Sequence, residues 1–423
     1  MISFYPPCLH MLLMAIGGEV VQAKKSLDDL VPGEVYVRSM KVDDPAGEVK
    51  RKFQIQLPKG YSSKDPPAPA LLYFKGTAEN AIKNDGYAWN VQSNLHGFVY
   101  VNPIGEDDTK GNDPPRSWNV GSAGLTTICK THAKDGVRPS NPNANKCGKH
   151  AITEPVEYSS CKRLNETGPC NCYTCYDDVL FVATLIDNLT KESYINPDRI
   201  FVSGASNGGI FAFYLAAQLI RRSYSWRIRA IASWYGGNFK GMIDIPPELR
   251  GMSVMYSGGL KDVTVPLYGG KSYDCYLYES GPTYLTELAK LDGPLIGNTS
   301  VYTPYDGASK KFLGCYQLIR KQQSSLLWLC KYDEAHGFWF YHWTEAMSYW
   351  FFREAQFQNV ASYEQLNEDI ASRSPSTMQN VGLVWLSGAF ALLSLVLVTV
   401  RCSRNVTSEC PAGINLVAEH SDE

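Results

Sequence analysis

The sequence has little excess charge of either sign and contains no long run of basic residues. Its 423 residues include 40 Lys plus Arg against 42 Asp plus Glu, a formal net charge of −2 at pH 7. A nucleic-acid-binding domain normally carries a basic patch or stripe, so this composition argues against a nucleic-acid partner. The sequence also shows no internal repeat and no extended low-complexity tract. The length suits one large domain or two ordinary ones, and hydrophobic residues make up 44% of the chain, enough for a substantial core.

Charge is missing altogether from residues 381–400, twenty consecutive positions near the C-terminus. At the rise of an α-helix, this length matches the hydrocarbon thickness of a bilayer, so the stretch predicts a transmembrane helix rather than a buried core helix. Arg401 and Arg404 follow it, which predicts a cytosolic tail over residues 401–423 under the positive-inside rule. Residues 358–380 are polar and are interpreted as a stalk.

The N-terminus lacks a basic residue ahead of its apolar stretch, residues 9–16, which is too short to span a bilayer. Small residues at Val21 and Ala23 nevertheless fit a cleavage site, and residues 1–23 are predicted to be a signal peptide. A disordered N-terminus or a misassigned start is the alternative. The two ends together predict a single-pass type I membrane protein of the secretory pathway, with its body, residues 24–357, lumenal or extracellular.

Cysteine usage agrees with an oxidising compartment, because nine of the 12 cysteines lie between residues 129 and 330. The motif Cys170-x-Cys172-x-x-Cys175 could hold a soft metal, but the secretory signals favour disulfides, and no metal site is predicted. The number nine is odd and the pairing is not predictable from the sequence. Candidate N-glycosylation sequons begin at Asn165, Asn188 and Asn298.

Strand and helix patterns alternate along the body, which predicts an α/β fold with a mainly parallel sheet and helices on both faces. The predicted strands cover residues 70–74, 97–101, 199–203, 229–234, 252–256 and 326–330, and the predicted helices cover 177–190, 208–222 and 342–357. Residues 104–176 are rich in Pro, Gly, Asn and Cys and are interpreted as a large irregular insertion.

One short motif joins a predicted strand to a predicted helix, Gly204-Ala205-Ser206-Asn207-Gly208. A serine on such a sharp turn can act as a nucleophile if an imidazole takes its proton and a carboxylate orients that imidazole. Small residues two before and two after the serine allow the tight bend. The pentapeptide alone is a weak signal, and the alternative is a non-catalytic turn with a capping serine. The flanking strand and helix favour Ser206 as a nucleophile.

Histidine is scarce after Ser206, where only three remain. His420 lies beyond the predicted membrane span and His342 inside a predicted helix, whereas His336 follows a predicted strand. His336 is therefore the candidate base. Among several acids, Asp262 lies on a loop after a late predicted strand, where the orienting carboxylate is expected, and Asp274 is its nearest alternative.

Acyl transfer also needs two backbone N–H groups aimed at the developing oxyanion. The candidates are the N–H of Asn207, which opens the helix, and that of Thr77, on the loop after an early strand. Trp118 and Trp339 could stack on an aryl or sugar ring, or could simply pack in the core. For Asp177-Asp178, helix capping and a buried ion pair are favoured over a catalytic role.

These motifs resemble, in order, those of the secreted polyhydroxybutyrate depolymerase and feruloyl/acetylxylan esterase group of α/β hydrolases, over residues 50–345. The matching segments are Gly97–Gly105, Ser117–Gly121, Asp177–Val179, Asn196–Gly209, Asp262–Pro266 with Tyr268–Gly270, and His336–Trp339. The resemblance implies an α/β-hydrolase fold and a cofactor-independent serine esterase acting on small or polymeric esters. It also favours Asp262 over Asp274.

Two features depart from this group. Lys75-Gly76 stands where the group usually has His-Gly, and the cysteine-rich stretch 129–175 is longer than expected. The main alternative is therefore a catalytically silent hydrolase fold that binds or adheres at the membrane. A second alternative keeps the three site residues but cleaves peptides.

Overall fold

Short runs of buried apolar residues form the centre of a ten-stranded sheet. A computed structural model describes residues 29–77, 86–106, 117–120, 159–164, 174–222, 224–240, 249–272, 277–301, 311–320, 325–337, 344 and 347–355. All of these residues belong to one compact unit, Met1–Ala361.

The strands are short, as is usual for α/β proteins, and several are buried along their whole length. They are β1 Val35–Val42, β2 Val49–Gln56, β3 Ala68–Phe74, β4 Val99–Pro103, β5 Ile195–Ala205, β6 Ile228–Trp234, β7 Ser253–Gly259, β8 Gly270–Lys271, β9 Leu277–Tyr278, β10 Leu295–Val301, β11 Phe312–Arg320 and β12 Leu327–Tyr332. The helices are α1 Gly86–His96, α2 Ser159–Arg163, α3 Asp178–Lys191, α4 Asn207–Arg221 and α5 Gly281–Lys290, with a π-helical segment at Trp350–Ala355.

The large sheet has the strand order β1-β2-β4-β3-β5-β6-β7-β12-β11-β10, and β8 and β9 form a separate two-stranded ribbon. The six strands from β4 to β12 in this order run parallel, and antiparallel strands extend the sheet at both edges. Parallel strands end at the same edge of a sheet, so the loops after β5, β7 and β12 lie at one edge. This edge carries the candidate site.

Each face of the sheet has its own apolar core, which agrees with the prediction of helices on both faces. On one face, Leu72 and Phe74 of β3 pack with residues of α3, α4 and α5. On the other face, Leu71 and Tyr73 pack with Trp89 of α1 and with the π-helical segment. β3 therefore alternates between two cores, as the period of two in a strand requires.

All six predicted strands and the helices predicted at 177–190 and 208–222 are confirmed, with shifts of a few residues at their ends. The described part of the helix predicted at 342–357 is also helical, with its last turns in the π form. The sequence prediction missed β1, β2, β8, β9, β10, β11, α1, α2 and α5, and α2 lies within the stretch that was predicted to be irregular. β2 carries polar residues at most positions, and β10 has only two adjacent apolar side chains, Leu295 and Ile296, so no apolar run marks either strand.

A disulfide joins Cys315 to Cys330 across the neighbouring strands β11 and β12, where the two residues are directly paired. Cys175 is also disulfide-bonded. These bonds confirm the prediction of disulfides, including for the last cysteine of the Cys-x-Cys-x-x-Cys motif.

Several predictions concern residues outside the described part of the chain. They are the signal peptide 1–23, the stalk 358–380, the span 381–400, the tail 401–423, most of the insertion 104–176, Trp339 and Asn165. Within the described ranges, no helix is both long and apolar enough to cross a membrane.

Candidate active site

Ser206 lies on a sharp turn between β5 and α4, in a backbone conformation that few residues other than glycine adopt. Its φ is 50° and its ψ is −122°. The Ser206 N–H donates to the Trp234 carbonyl at 2.9 Å, which ties the turn to the end of β6. A Cβ on Gly208 would lie 2.1 Å from the Phe74 carbonyl oxygen, so only glycine lets α4 approach the end of β3. This strain is typical of a functional turn rather than of a simple helix cap.

His336 and Asp262 lie beside Ser206 in a continuous chain of contacts. His336 Nε2 is 3.0 Å from Ser206 Oγ, and His336 Nδ1 is 2.7 Å from Asp262 Oδ2. A carboxylate only accepts hydrogen bonds, so Nδ1 carries the proton and Nε2 accepts the hydroxyl hydrogen of Ser206. This arrangement suits a serine whose proton must be removed during attack.

Asp262 is fixed by its own loop. Its Oδ1 accepts hydrogen bonds from the N–H groups of Thr264 and Val265, both at 2.8 Å, and its side chain is fully buried. The remaining oxygen, Oδ2, contacts His336. The carboxylate therefore has one orientation, and that orientation sets the plane of the imidazole. Asp274, the alternative acid, lies outside the described residues.

The two proposed oxyanion residues lie next to the elbow, the turn Gly204–Gly208 that carries Ser206, and to the end of β3. Asn207 is the first residue of α4, and Thr77 follows Lys75-Gly76 just after β3. The side chain of Lys75 is almost entirely buried, with 4% of the residue exposed.

Trp118 connects these two segments. Its indole N–H donates to the Lys75 carbonyl at 2.9 Å, and its backbone N–H donates to the Asn207 side-chain carbonyl at 2.7 Å. Its ring stacks on Phe211 and meets the edge of Phe74, and only 2% of the residue is exposed. Of the two roles considered for Trp118, the structure supports packing, because the ring has no open face for a substrate. Its hydrogen bonds were not foreseen from the sequence.

The residue after Trp118 leads to a buried ion pair. The Asn119 N–H donates to Asp178 Oδ2 at 2.6 Å, and Asp178 Oδ1 accepts from Arg51 at 2.6 Å. Burial raises the pKa of the Asp178 carboxyl, and the Arg51 guanidinium opposes that shift. Asp177 caps α3 by accepting from the Leu180 N–H at 2.9 Å. Capping and a buried ion pair are the roles that the sequence favoured for Asp177 and Asp178.

The two sequons in the described residues have different surroundings. Asn188 lies inside α3 and is partly buried, and the hydroxyl oxygen of its Thr190 is buried. Asn298 lies on β10, at the edge of the sheet, and is exposed together with Thr299 and Ser300. Asn298 is thus the more accessible of the two for modification.

The strand order, the strained serine after the central strand β5 and the loops that carry Asp262 and His336 all fit one arrangement. The fold is that of an α/β hydrolase. It confirms the α/β-hydrolase part of the fold class expected from the sequence, whereas the predicted span and most of the predicted insertion lie outside the described residues.

Comparison with known proteins found no matching family model and no curated relative. Solved structures similar to this chain include a poly(3-hydroxybutyrate) depolymerase from Bordetella parapertussis, with 12% identity, a TM-score of 0.41, and coverage of 79% of this chain and 94% of the other. They also include an acetyl xylan esterase from Aspergillus awamori, with 10% identity, a TM-score of 0.40, and coverage of 75% and 99%.

An S-formylglutathione hydrolase from Agrobacterium tumefaciens is similar at 12% identity and a TM-score of 0.38, with coverage of 77% and 94%. The TM-scores of all three structures lie below 0.5.

Proposed function

We propose that the chain is a serine esterase that hydrolyses carboxylic esters through an acyl-enzyme. The observation that carries this proposal is the contact chain from Ser206 Oγ through His336 to the buried Asp262, with 3.0 Å and 2.7 Å between the successive pairs of atoms. The strained backbone of Ser206 supports it, because such strain costs free energy and persists where function requires it.

In the proposed reaction, Ser206 Oγ attacks the ester carbonyl carbon while His336 Nε2 takes the hydroxyl proton. The carbonyl oxygen becomes an oxyanion, which the N–H groups of Asn207 and Thr77 are proposed to bind. Collapse of this intermediate breaks the ester C–O bond, and His336 returns the proton to the leaving alcohol. Water then repeats the sequence on the acyl-enzyme, which releases the acid and restores Ser206. Asp262 stabilises the imidazolium in both steps.

Labelling with a fluorophosphonate probe tests the nucleophile. We expect the wild-type chain to be labelled and Ser206→Ala to lose the label, because the probe reacts with activated serines. Ser62→Ala is a matched control, since Ser62 is exposed on a loop far along the chain from the elbow. Labelling that persists in Ser206→Ala would show that another residue is the nucleophile.

The resemblance of the sequence motifs suggests feruloyl, acetyl or hydroxyalkanoate esters as substrates. A panel of p-nitrophenyl and natural esters, with wild type and Ser206→Ala side by side, would identify the acyl group. Cleavage of a peptide panel without ester turnover would favour the protease alternative.

One observation favours the alternative of a silent binding module. Lys75 is buried in the loop that would supply one oxyanion donor, at the position where the resembling group has histidine. A chain that folds but shows neither probe labelling nor turnover of any ester or peptide would support this alternative over catalysis.

We further propose that the body lies in the secretory lumen or outside the cell, held by the 381–400 span. The Cys315–Cys330 disulfide supports an oxidising compartment, and the exposed Asn298 sequon is compatible with it. Neither observation depends on the proposed activity.

A further inference from the structure

Tyr235 has a strained backbone conformation that the contacts among Ser206, His336 and Asp262 do not explain. It follows β6 directly and its φ is 48°, a left-handed value that is a genuine outlier for a bulky residue. The residue is 2% exposed, and its N–H donates to the Ser257 carbonyl of β7 at 2.9 Å. Strain of this kind is retained where the surrounding structure needs the side chain in one place.

The Tyr235 side chain points its ring at the candidate base. The ring meets the His336 imidazole edge to face, with the centroids 5.6 Å apart and the planes at 78°. The imidazole thus has Asp262 at Nδ1, Ser206 at Nε2 and an aromatic ring packed against it. The hydrogen bonds at Nδ1 and Nε2 still allow the imidazole to rotate about the line that joins these two atoms. The packed Tyr235 ring restricts that rotation.

Glu334 holds both Tyr235 and the loop that carries His336. Its Oε2 lies 3.5 Å from the Tyr235 hydroxyl, and its Oε1 lies 3.1 Å from Lys311 Nζ. Its backbone carbonyl accepts a hydrogen bond from the N–H of Lys261 at 2.9 Å, and Lys261 directly precedes Asp262. The loops of the base and of the acid are therefore joined through Glu334.

Gly259 is the residue that lets these groups meet. A Cβ at this position would lie 2.2 Å from the Glu334 carbonyl oxygen and 2.9 Å from the Tyr235 ring. Burial and the nearby Glu334 carboxylate raise the pKa of the Tyr235 phenol, so the hydroxyl keeps its proton at neutral pH and can donate to Glu334.

We propose that Tyr235 is a positioning residue that fixes the plane of the His336 imidazole, and that Glu334 fixes Tyr235 and the His336 loop together. The inference rests on the proposed function of the site, and it adds two residues that act through His336 rather than on the reacting atoms.

The first test compares Tyr235→Phe, Glu334→Gln and the double variant in the full chain. We expect each single variant to lower kcat for an ester about threefold to tenfold with little change in KM, because a small misalignment of a catalytic group is costly. Both changes weaken the contact between Tyr235 and Glu334, so the double variant should lose about as much as the larger single loss, and Glu334→Gln also weakens the ion pair with Lys311. Tyr61→Phe is a matched control, because the Tyr61 hydroxyl likewise donates one long hydrogen bond, to the Ser193 carbonyl at 3.4 Å, and Ser193 precedes β5 at the opposite edge of the sheet from the site.

Two results would overturn the proposal in this test. One is an ester kcat that is unchanged in both single variants, as it is expected to be in the control Tyr61→Phe. The other is a loss confined to KM, which would place Tyr235 and Glu334 in substrate binding rather than in positioning.

The second test does not depend on turnover. With histidine labelled by ¹⁵N, the proton between His336 Nδ1 and Asp262 should give a low-field resonance that is assigned by its loss in His336→Ala. We expect Tyr235→Leu to broaden or shift this resonance as the ring loses its support. An unchanged resonance in folded Tyr235→Leu would overturn the proposal, whereas equal ester turnover by wild type and Ser206→Ala would overturn the proposed function alone.

Discussion

At the scale of the residue, the candidate site depends on side chains whose hydrogen bonds and packing leave them one orientation. Asp262 shows this most clearly, because two N–H groups hold one oxygen and leave the other for His336. Trp118 fixes a backbone group in a similar way, because its indole N–H donates to the Lys75 carbonyl, two residues before Thr77.

Trp118→Phe tests this role. The ring would keep most of its packing on Phe211, but the hydrogen bond from the indole to the Lys75 carbonyl would be lost. We expect the free energy of unfolding to fall by about 1 kcal/mol, the usual net value of one hydrogen bond. We also expect ester kcat to fall further in Trp118→Phe than in a control variant of similar stability. Trp89→Phe is the matched control, because Trp89 is equally buried and its indole N–H makes no hydrogen bond with the described residues. Equal effects of the two substitutions on kcat would contradict a role for the Trp118 contact.

Gly208→Ala tests the close approach of α4 to β3. The new Cβ would meet the carbonyl oxygens of Phe74 and Lys75 at 2.1 Å and 2.4 Å, and backbone atoms cannot rotate away. We expect a loss of about 1–3 kcal/mol in the free energy of unfolding, together with loss of probe labelling. Gly60→Ala, where φ is +84° and no atom lies within 4 Å, should cost about 1 kcal/mol and leave labelling intact. Normal labelling of Gly208→Ala would mean that the elbow tolerates the added carbon.

At the scale of the element, the central strands were predictable and the edge strands were not. β3 is buried on both faces, so its sequence is a continuous apolar run. β10 is exposed at almost every position and β2 alternates only in part, so neither differs from a polar loop when read alone. β10 is a strand because it pairs with β11, and β2 because it pairs with β1 and β4. Such pairing between distant segments cannot be predicted from a short stretch of sequence.

The site shows the same division. Ser206 and His336 were predicted from a local motif and from the scarcity of histidine, and Asp262 from its loop and from resemblance, and the structure brings the three side chains together. Tyr235 and Glu334 had no local signal, because their role arises only when the loops after β6 and β12 meet.

The disulfide between β11 and β12 should stabilise this edge of the sheet. It closes a loop with a sequence separation of 15 residues, so the Cys315→Ala/Cys330→Ala variant should lose about 3 kcal/mol in chemical denaturation. Ester kcat measured in parallel at 25 °C would separate a loss of stability from damage to the site. Unchanged stability would show that packing alone holds the hairpin.

The buried pair of Arg51 and Asp178 joins β2 to α3. Asp178→Asn would leave the guanidinium, which is 0% exposed, without its closest carboxylate, and should cost about 3 kcal/mol. Asp198→Asn is the control, since its pair with Arg229 is at the surface, with the Asp198 side chain 78% exposed, and should cost at most about 1 kcal/mol. Equal costs in thermal or denaturant unfolding would argue that burial does not strengthen the pair.

At the scale of the whole molecule, the proposed topology makes a prediction about modification. When the full chain is expressed in cells with a secretory pathway, we expect an N-glycan on Asn298, removable by a peptide N-glycosidase. Asn298→Gln should remove one glycan, and Asn188→Gln should change nothing, because Asn188 lies within a helix and is partly buried. A chain without glycans in such cells would contradict a lumenal body.

The separation of the site residues along the chain has a consequence for folding. Ser206 and His336 are 130 residues apart, His336 and Asp262 are 74 apart, and each follows a different parallel strand. Contacts of such long range form late and slowly in folding. Regain of probe labelling after dilution from denaturant should therefore lag behind the recovery of helical signal, so that labelling reports when the last strands have joined the sheet.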